Sequence, residues 1–183
     1  MEKIIILTGS GGKTKFINQL ALNLSNHFEI EIFNSFHNFF LKKRSIRNVS
    51  QKIIHLIGSS SEIYLLGYSQ GADILPFIFN SLDESIKNKV KRLILIGPAS
   101  QADFSLGLWS YITGSYCKNS LPLMPEIEKI NIPILCIYGE NDSITIGPQL
   151  RKDNIDLHSI KSGHILRSKN VDQVLEILNE KIF

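Results

Sequence analysis

The stretch Gly67-Tyr68-Ser69-Gln70-Gly71 decides the fold class of this chain. It follows an apolar run at residues 63–66 and precedes a helix-forming segment at residues 72–80. A G-x-S-x-G pentapeptide between a strand and a helix is typical of a nucleophile elbow, a sharp turn that lifts a serine hydroxyl above the strand end. The glycines let neighbouring backbone approach closely. An ordinary Gly/Ser turn has the same composition, so the rest of the chain must decide between the two.

Short apolar runs alternate with longer amphipathic segments along the chain. The runs predict six strands, at residues 3–8, 29–33, 62–66, 91–96, 134–138 and 155–160. The amphipathic segments predict helices at residues 14–27, 46–57, 70–81 and 171–181. Continuously apolar strands separated by helices indicate a mostly parallel sheet with helices on both faces. We therefore predict an α/β fold whose functional groups collect at the carboxyl ends of the strands.

One connection is too long to be a plain loop. Almost forty residues separate the predicted strands at 91–96 and 134–138. They include Phe104, Leu108, Trp109 and Ile112, which could share one helical face. We predict a small cap or lid inserted around residues 100–130, with Trp109 among its substrate contacts. The alternative is a helix packed on the sheet, in which these side chains belong to the core.

Composition narrows the class of protein. With 183 residues, of which 43% are hydrophobic and 20% charged, the chain fits one soluble domain. The net charge of +3 is mild, and the basic cluster at residues 42–44 is typical of a solvated surface, so no nucleic-acid partner is expected. No zinc-ligand spacing or cofactor motif is present, and we expect neither a metal nor a cofactor. No window is long enough for a membrane span.

The cysteines and the first residues bear on the compartment. Cys136 lies in an apolar run and is expected to be a small buried side chain, and nothing requires it to pair with Cys117. The opening residues lack the features of a secretory signal, so the sequence as written predicts a cytoplasmic protein. An exported protein expressed without its leader would have a similar sequence.

An acid and a base follow the serine in the order that elbow-bearing sheets use. A serine hydroxyl needs a base, oriented by a carboxylate, to act as a nucleophile. The predicted strand at 134–138 leads into an acidic turn with Asp142, and the one at 155–160 leads into a loop with His164. We predict that Ser69 is the nucleophile, His164 its base and Asp142 the orienting acid.

Other residues fit these roles less well. His158 lies within the last predicted strand, so its side chain is expected to pack on a sheet face. Glu140 immediately follows Gly139, whereas Asp142 lies deeper in the loop. Asp73 lies one turn into the helix after the elbow, where a cap or a buried hydrogen bond is the expected role.

A glycine-rich loop follows the first strand. An oxyanion needs two backbone N–H donors, and we predict those of Gln70 and of either Ser10 or Gly11. The same loop ends in Gly-Lys-Thr, which resembles the end of a phosphate-binding loop. The full pattern requires glycine at the position of Leu7, and no later strand ends in an aspartate for magnesium, so a nucleotide hydrolase is disfavoured.

Taken together, these residues resemble α/β-hydrolases and, more closely, the bacterial virulence protein VirJ/AcvB family. The most specific match is the elbow with its continuation Ala72-Asp73-Ile74-Leu75-Pro76, which corresponds to the family's Gly-Ala-Asp-x-Leu-Pro. The resemblance spans almost the whole chain. Further matching stretches lie at residues 7–12, 34–40, 123–126, 136–139, 142–143 and 163–164.

The resemblance implies a compact α/β-hydrolase fold and hydrolysis of aminoacylated phosphatidylglycerol, with Ser69 attacking the aminoacyl ester. A cationic aminoacyl headgroup would need an acidic contact, for which Asp73 and Glu126 are candidates. His37 and Phe39 lie in the aromatic stretch after the second strand and are further candidates for substrate binding. Members of the family typically act in the periplasm and are linked to virulence and type IV secretion.

Two classes of function follow from these observations. The first is a serine esterase or lipase-like hydrolase that acts on a small or lipid-linked ester, with peripheral contact to a membrane. The second is a virulence or secretion-associated binding protein on a hydrolase scaffold, with Ser69, Asp142 and His164 idle. The intact set of three residues favours the enzyme, although a fold alone does not establish an activity.

Overall fold

The computed structural model describes residues 2–35, 37–38, 45–104 and 120–182. Six strands form its central sheet: β1 (Lys3–Leu7), β2 (Glu29–Phe33), β3 (Ile63–Tyr68), β4 (Val90–Ile96), β7 (Ile134–Gly139) and β8 (Ile155–Ile160). Their order is β2-β1-β3-β4-β7-β8, and every neighbouring pair runs parallel. The predicted parallel α/β sheet is therefore confirmed. A separate antiparallel pair joins β5 (Gln101–Ala102) to β6 (Leu121–Pro122).

Six described α-helices connect or flank the strands. They are α1 (Lys15–Leu24), α2 (Ile46–Ile57), α3 (Gln70–Asn80), α4 (Glu84–Lys87), α5 (Met124–Glu128) and α6 (Val171–Ile182). Short 3₁₀ turns lie at Gly147–Gln149 and Ser168–Asn170. The Thr14 and Ser45 side chains cap α1 and α2 by accepting hydrogen bonds from backbone N–H groups of the first turn.

Helices cover the sheet on both faces. On β1, Ile5 and Leu7 point into a core shared with α2 and α3, whereas Ile4 and Ile6 point into a core shared with α1 and α6. Each fully buried aliphatic side chain contributes about 1.5–3 kcal/mol through removal from water. Because successive strand residues face opposite sides and both sides are covered, the inner strands β1, β3 and β7 are buried and almost wholly apolar, whereas the edge strands β2 and β8 include charged and polar residues.

Most predicted boundaries agree with the structure within a few residues. The helix predicted at 46–57 and the strands predicted at 29–33 and 155–160 have the observed bounds. The third strand extends to Tyr68, so the first two of the five motif residues belong to the strand rather than to the turn. The short helices α4 and α5 and the β5–β6 pair were not predicted, because four or five residues carry no usable periodicity.

The structure describes both ends of the predicted cap at 100–130. Its first part forms β5, and the Phe104 ring packs edge-on against Phe77 of α3, with ring centroids 5.1 Å apart. Its last part forms β6 and α5. Leu108, Trp109, Ile112 and Cys117 lie outside the described residues, so the cap itself stays a prediction.

Two further expectations concern apolar character. Cys136 is buried within β7, as predicted, and burial raises the pKa of its thiol to about 12. Among the described residues, no helix has the length and apolar character that a membrane span requires.

Candidate active site

Ser69 lies on a strained turn between β3 and α3. Its backbone has φ 51° and ψ −120°, and it is the single non-glycine residue with positive φ in the described part of the chain. Such a conformation costs on the order of 1–3 kcal/mol and persists only where surrounding structure holds it. Here the Ser69 N–H donates to the Ile96 carbonyl at 2.8 Å, and the Ser69 carbonyl accepts from Ala72 N–H at 2.7 Å.

The two motif glycines allow this turn to fit between its neighbours. A Cβ added at Gly67 would lie 2.5 Å from the Gly71 carbonyl oxygen and 2.6 Å from the Ala72 Cα. One added at Gly71 would overlap the Leu7 carbonyl of β1. All of these neighbours are backbone atoms, which cannot turn aside as a side chain can. The elbow therefore requires glycine at both positions.

The three residues predicted to act together lie within hydrogen-bond distance of one another. Ser69 Oγ is 2.9 Å from His164 Nε2, and His164 Nδ1 is 2.9 Å from Asp142 Oδ2. An ionised carboxylate can only accept a hydrogen bond, so with Asp142 ionised Nδ1 carries the ring proton and Nε2 accepts from the serine hydroxyl. This arrangement can transfer the serine proton to the imidazole while the carboxylate faces the resulting positive charge.

Both carboxylate oxygens of Asp142, in the loop after β7, have hydrogen-bond partners. While Oδ2 faces His164, Oδ1 accepts from the Ile144 backbone N–H at 3.1 Å. Thr145, further along the loop, donates through its hydroxyl to the Pro98 carbonyl at 3.0 Å and forms a backbone bridge with Ala99. The acid loop is thus attached to the turn that follows β4.

The loop after β8, next to the acid loop, presents His164 to the serine. The Tyr68 hydroxyl, from the elbow strand, accepts a hydrogen bond from Leu166 N–H at 2.9 Å. The His164 side chain is 27% exposed, whereas that of Asp142 is 1% exposed. A ligand can therefore reach the imidazole, and the carboxylate behind it is shielded from water.

Asp73 lies one turn beyond the nucleophile and faces the protein interior. Its Oδ1 accepts from the Ala99 backbone N–H at 2.7 Å, and its own N–H donates to the Ser69 carbonyl at 3.0 Å. Burial raises the pKa of this carboxyl to about 8, against the effect of the Ala99 hydrogen bond and with a further increase from the charge of Asp142. Asp73 thereby joins the elbow to the same turn that holds the acid loop.

The glycine-rich loop after β1 lies against the nucleophile. A Cβ added at Gly9 would be 3.1 Å from the Ser69 Cβ and 3.6 Å from its Oγ. The backbone N–H groups of Ser10, Gly11 and Gln70 donate to no acceptor among the described residues. The loop and the start of α3 can therefore supply the N–H donors that an oxyanion needs.

The Gln70 side chain adds an unpaired acceptor beside the nucleophile. Its Nε2 donates to the Asp103 carbonyl at 3.4 Å, while its buried Oε1 has no hydrogen-bond partner. A buried carbonyl oxygen left in this state is unfavourable by on the order of 1–3 kcal/mol.

For the other residues predicted to bind substrate, the structure shows no hydrogen bond or ion pair to Ser69. Glu126 pairs with Lys129 at 2.5 Å and accepts from Asn80 at 2.8 Å; these hydrogen bonds outweigh burial and lower the pKa of its carboxyl. His37 is exposed, and its backbone N–H donates to Asn34 Oδ1 at 3.0 Å. Phe39 and Trp109 lie outside the described residues, so their substrate contacts stay predictions.

The alternative candidates for the base and the acid take no part in the hydrogen bonds from Ser69 to His164 and from His164 to Asp142. His158 is half-buried in β8, opposite Ile137 of β7. Glu140 is exposed and accepts from the Ser159 hydroxyl at 3.4 Å. In the described part of the chain, no group of three or more His, Cys, Asp or Glu side chains is placed to hold a metal ion.

Sequence reasoning missed the residues that hold the site together. Tyr68 accepts a hydrogen bond from the loop that carries His164, and Thr145, within the loop that carries Asp142, donates to the Pro98 carbonyl. Tyr68 belongs to the pentapeptide, but its position in the motif carries no preference for a hydroxyl. The Thr145 contact joins residues 47 positions apart, so no local pattern could have revealed it.

The sheet order, the strained serine and the loop positions are those of the α/β-hydrolase fold, and solved structures agree. One is an α/β hydrolase enzyme from the metagenome of sediments from the lagoon of Mar Chica, Morocco, with 18% identity, a TM-score of 0.71, and coverage of 98% of this chain and 89% of that one. The thioesterase domain from the curacin biosynthetic pathway has 13% identity and a TM-score of 0.69, with 97% and 91% covered. Mouse alpha/beta hydrolase domain-containing protein 10 has 12% identity and a TM-score of 0.65, with 98% and 89% covered.

A family model describes the chain more narrowly. The model for the bacterial virulence protein VirJ matches residues 2–182. The chain therefore belongs to the VirJ family, and the predicted resemblance is confirmed. No curated protein sequence matches the chain significantly.

Proposed function

We propose that this protein is a serine hydrolase that cleaves carboxylic esters. The observation that carries the proposal is the chain of two 2.9 Å hydrogen bonds from Ser69 through His164 to Asp142. These residues come from the carboxyl ends of β3, β8 and β7, far apart in sequence. A purely structural role would not require a strained serine, a partly exposed imidazole and a buried carboxylate in line.

Each residue has a defined part in the proposed reaction. Ser69 Oγ attacks the ester carbonyl as His164 takes its proton, and the Asp142 carboxylate stabilises the imidazolium. The backbone N–H of Gln70 and that of Ser10 or Gly11 bind the oxyanion. His164 then returns the proton to the leaving alcohol, and water cleaves the acyl-enzyme by the same steps in reverse.

Labelling by a fluorophosphonate probe tests this proposal directly. The probe should modify the folded protein at Ser69, and Ser69→Ala should abolish the labelling. Ser143→Ala is the matched control, because Ser143 is an exposed serine in the acid loop and should not affect labelling. Folded wild-type protein that takes up no probe would contradict the proposal.

For the substrate, we propose the aminoacyl ester of aminoacylated phosphatidylglycerol. Membership of the VirJ family supports this choice.

The substrate is tested by measuring free lysine or alanine released from aminoacyl-phosphatidylglycerol in micelles, beside hydrolysis of a simple water-soluble ester. Activity on both, lost in Ser69→Ala, supports the full proposal. Activity on the simple ester alone removes the lipid substrate and keeps the hydrolase. A third outcome is a folded protein that hydrolyses neither ester. If the wild type and Ser69→Ala then bind a secretion partner equally well, the protein belongs to the binding class.

A further inference from the structure

Three basic residues at the amino edge of the sheet form ion pairs. Lys3 at the start of β1 lies 3.0 Å from Glu29 at the start of β2. Near the start of β4, Lys91 lies 2.6 Å from Glu62. Its neighbour Arg92 lies 2.8 Å from Asp156 of β8. Lys3, Lys91 and Arg92 therefore have carboxylate partners, whereas Arg151, before β8, forms no ion pair with a described carboxylate.

At the carboxyl edge, beside Ser69, the cations have no such partners. Five exposed basic residues lie in the loop after β1, at the start of α1 or in the loop after β8, and none forms an ion pair with a described carboxylate: Lys13, Lys15, Lys161, Arg167 and Lys169. Helix α1 contacts the turn Ser168–Asn170, which brings the two groups to the same side. Glu140 and Asp172 are exposed carboxylates at this edge, and the cations outnumber them.

Two exposed isoleucines lie at the same edge. Ile165 directly follows His164 and is 67% exposed. Ile144 lies two residues after Asp142 and is 44% exposed. A single exposed aliphatic residue is common on protein surfaces. Here both belong to the loops that present the imidazole and the carboxylate, so apolar side chains flank the entrance to Ser69.

We propose that these seven residues form a lipid-facing rim that docks the protein on an anionic lipid surface. The rim consists of Ile144, Ile165, Lys13, Lys15, Lys161, Arg167 and Lys169. Unpaired basic groups are attracted by anionic headgroups, and aliphatic side chains among them can enter the interface. This proposal rests on the proposed function in one respect: docking is useful because it brings Ser69 to an ester in the lipid layer.

Sedimentation with vesicles tests the rim without turnover. Full-length Ser69→Ala protein is mixed with vesicles of phosphatidylcholine alone, or of equal parts phosphatidylcholine and unacylated phosphatidylglycerol. We expect binding to the mixed vesicles that weakens as salt is raised, and little binding to phosphatidylcholine. Arg167→Gln combined with Lys169→Gln should weaken binding roughly tenfold or more. Ile165→Ser should weaken it several-fold, including at salt concentrations that screen the cations.

Matched controls lie at the other edge of the molecule. Arg151 is an exposed cation before the start of β8, and Leu22 is a 71% exposed aliphatic residue on α1. Arg151→Gln and Leu22→Ser remove the same charge or apolar surface away from the rim, and both should bind vesicles as the parent protein does. Equal losses in the control and rim variants would overturn the proposal, because binding would then follow overall composition.

The remaining outcomes separate this proposal from the proposed function. Absence of binding to the mixed vesicles at low salt, or equal binding to phosphatidylcholine alone, overturns the rim even if the enzyme hydrolyses esters. Vesicle binding that depends on the rim supports it even if Ser69 hydrolyses no ester. In the active protein, the rim variants should lower hydrolysis of a lipid ester in vesicles and leave hydrolysis of a short water-soluble ester unchanged.

Discussion

The two edges of the central sheet differ in how their polar groups are satisfied. At the amino edge, strand starts are joined by ion pairs such as Arg92–Asp156. At the carboxyl edge, Ser69 has a strained backbone, Gln70 has an unpaired buried oxygen, and exposed cations have no carboxylate partner. Groups left unsatisfied inside one molecule are available to another, and proteins break local rules chiefly at functional sites. The comparison favours the carboxyl edge as the place of the proposed function.

The largest expected effect is on the rate of ester hydrolysis, and it distinguishes a histidine at the carboxyl edge from one packed within a strand. On the proposed function, His164→Ala should lower ester hydrolysis by about 10⁴-fold, because it removes the base that lies 2.9 Å from Ser69 Oγ. His158→Ala, in the half-buried middle of β8, should change the rate by no more than a few-fold. Steady-state kinetics on a water-soluble ester measure both. A comparable loss of activity in the two variants would contradict the role of His164 as the base for Ser69.

The next effect concerns the elbow. Gly71→Ala should lower the free energy of unfolding by about 3 kcal/mol, because the added methyl would overlap the backbone of β1. Gly163→Ala is the control, since a Cβ there would have its nearest neighbour at 3.9 Å. Urea denaturation followed by circular dichroism measures the difference. Equal stability of the two variants would show that the turn can relax without help from glycine.

A pH-dependent effect is expected from Asp73. Its folded-state pKa is raised to about 8, so the native protein keeps a proton that the unfolded chain releases above about pH 4. This carboxyl therefore makes stability fall as pH rises from about 4 to 8, by at most about 1.4 kcal/mol per pH unit. Asp73→Asn keeps an acceptor for the Ala99 N–H and cannot ionise, so its advantage over the wild type should grow through this window.

Urea denaturation at several pH values measures that advantage. The same substitution at Asp153 is the control, because this exposed carboxyl is solvated in both states. A difference between Asp73→Asn and wild type that stays constant between pH 4 and pH 8 would contradict the raised pKa.

The smallest effect tests the amino edge. Arg92→Gln removes the pair with Asp156, whose partners are 19% and 47% exposed, and should lower stability by about 1 kcal/mol or less. Ester hydrolysis should stay at the wild-type rate. Arg167→Gln should do the reverse, with stability within about 0.5 kcal/mol of wild type and weaker vesicle binding. If both substitutions alter vesicle binding equally, the two edges do not differ in role.

The strands and longer helices could be predicted because their signal is local. Apolar runs bounded by Gly, Ser or Asp indicate strands, and the amphipathic period of α2 gave both of its bounds. The short helix α4 and the β5–β6 pair escaped, since their few residues depend on tertiary packing rather than on propensity. Local sequence patterns thus predict the central sheet and its longer helices but not the shortest helices and strands.

The sequence predicted the three residues of the candidate site, but not the residues that hold them in place. Chain order and strand ends pointed to Ser69, Asp142 and His164, and the structure places them in hydrogen-bond distance. The buried hydrogen bond expected of Asp73 is confirmed, because its side chain accepts from Ala99 inside the protein; its other predicted role, as a substrate contact, stays a prediction. Ala99 lies 26 residues away, and a contact of this kind depends on how α3 packs beside the end of β4.

The sequence by itself determined the parallel sheet, the elbow and the identity of the three residues that meet at it. Each of these follows from hydrophobic period, glycine placement and chain order, which are properties of neighbours in sequence. Only the tertiary structure decided that Asp73 is buried beside Asp142, that Tyr68 and Thr145 hold the loops, and that the unpaired cations share one edge. These properties depend on distances between segments far apart in sequence, which packing alone sets.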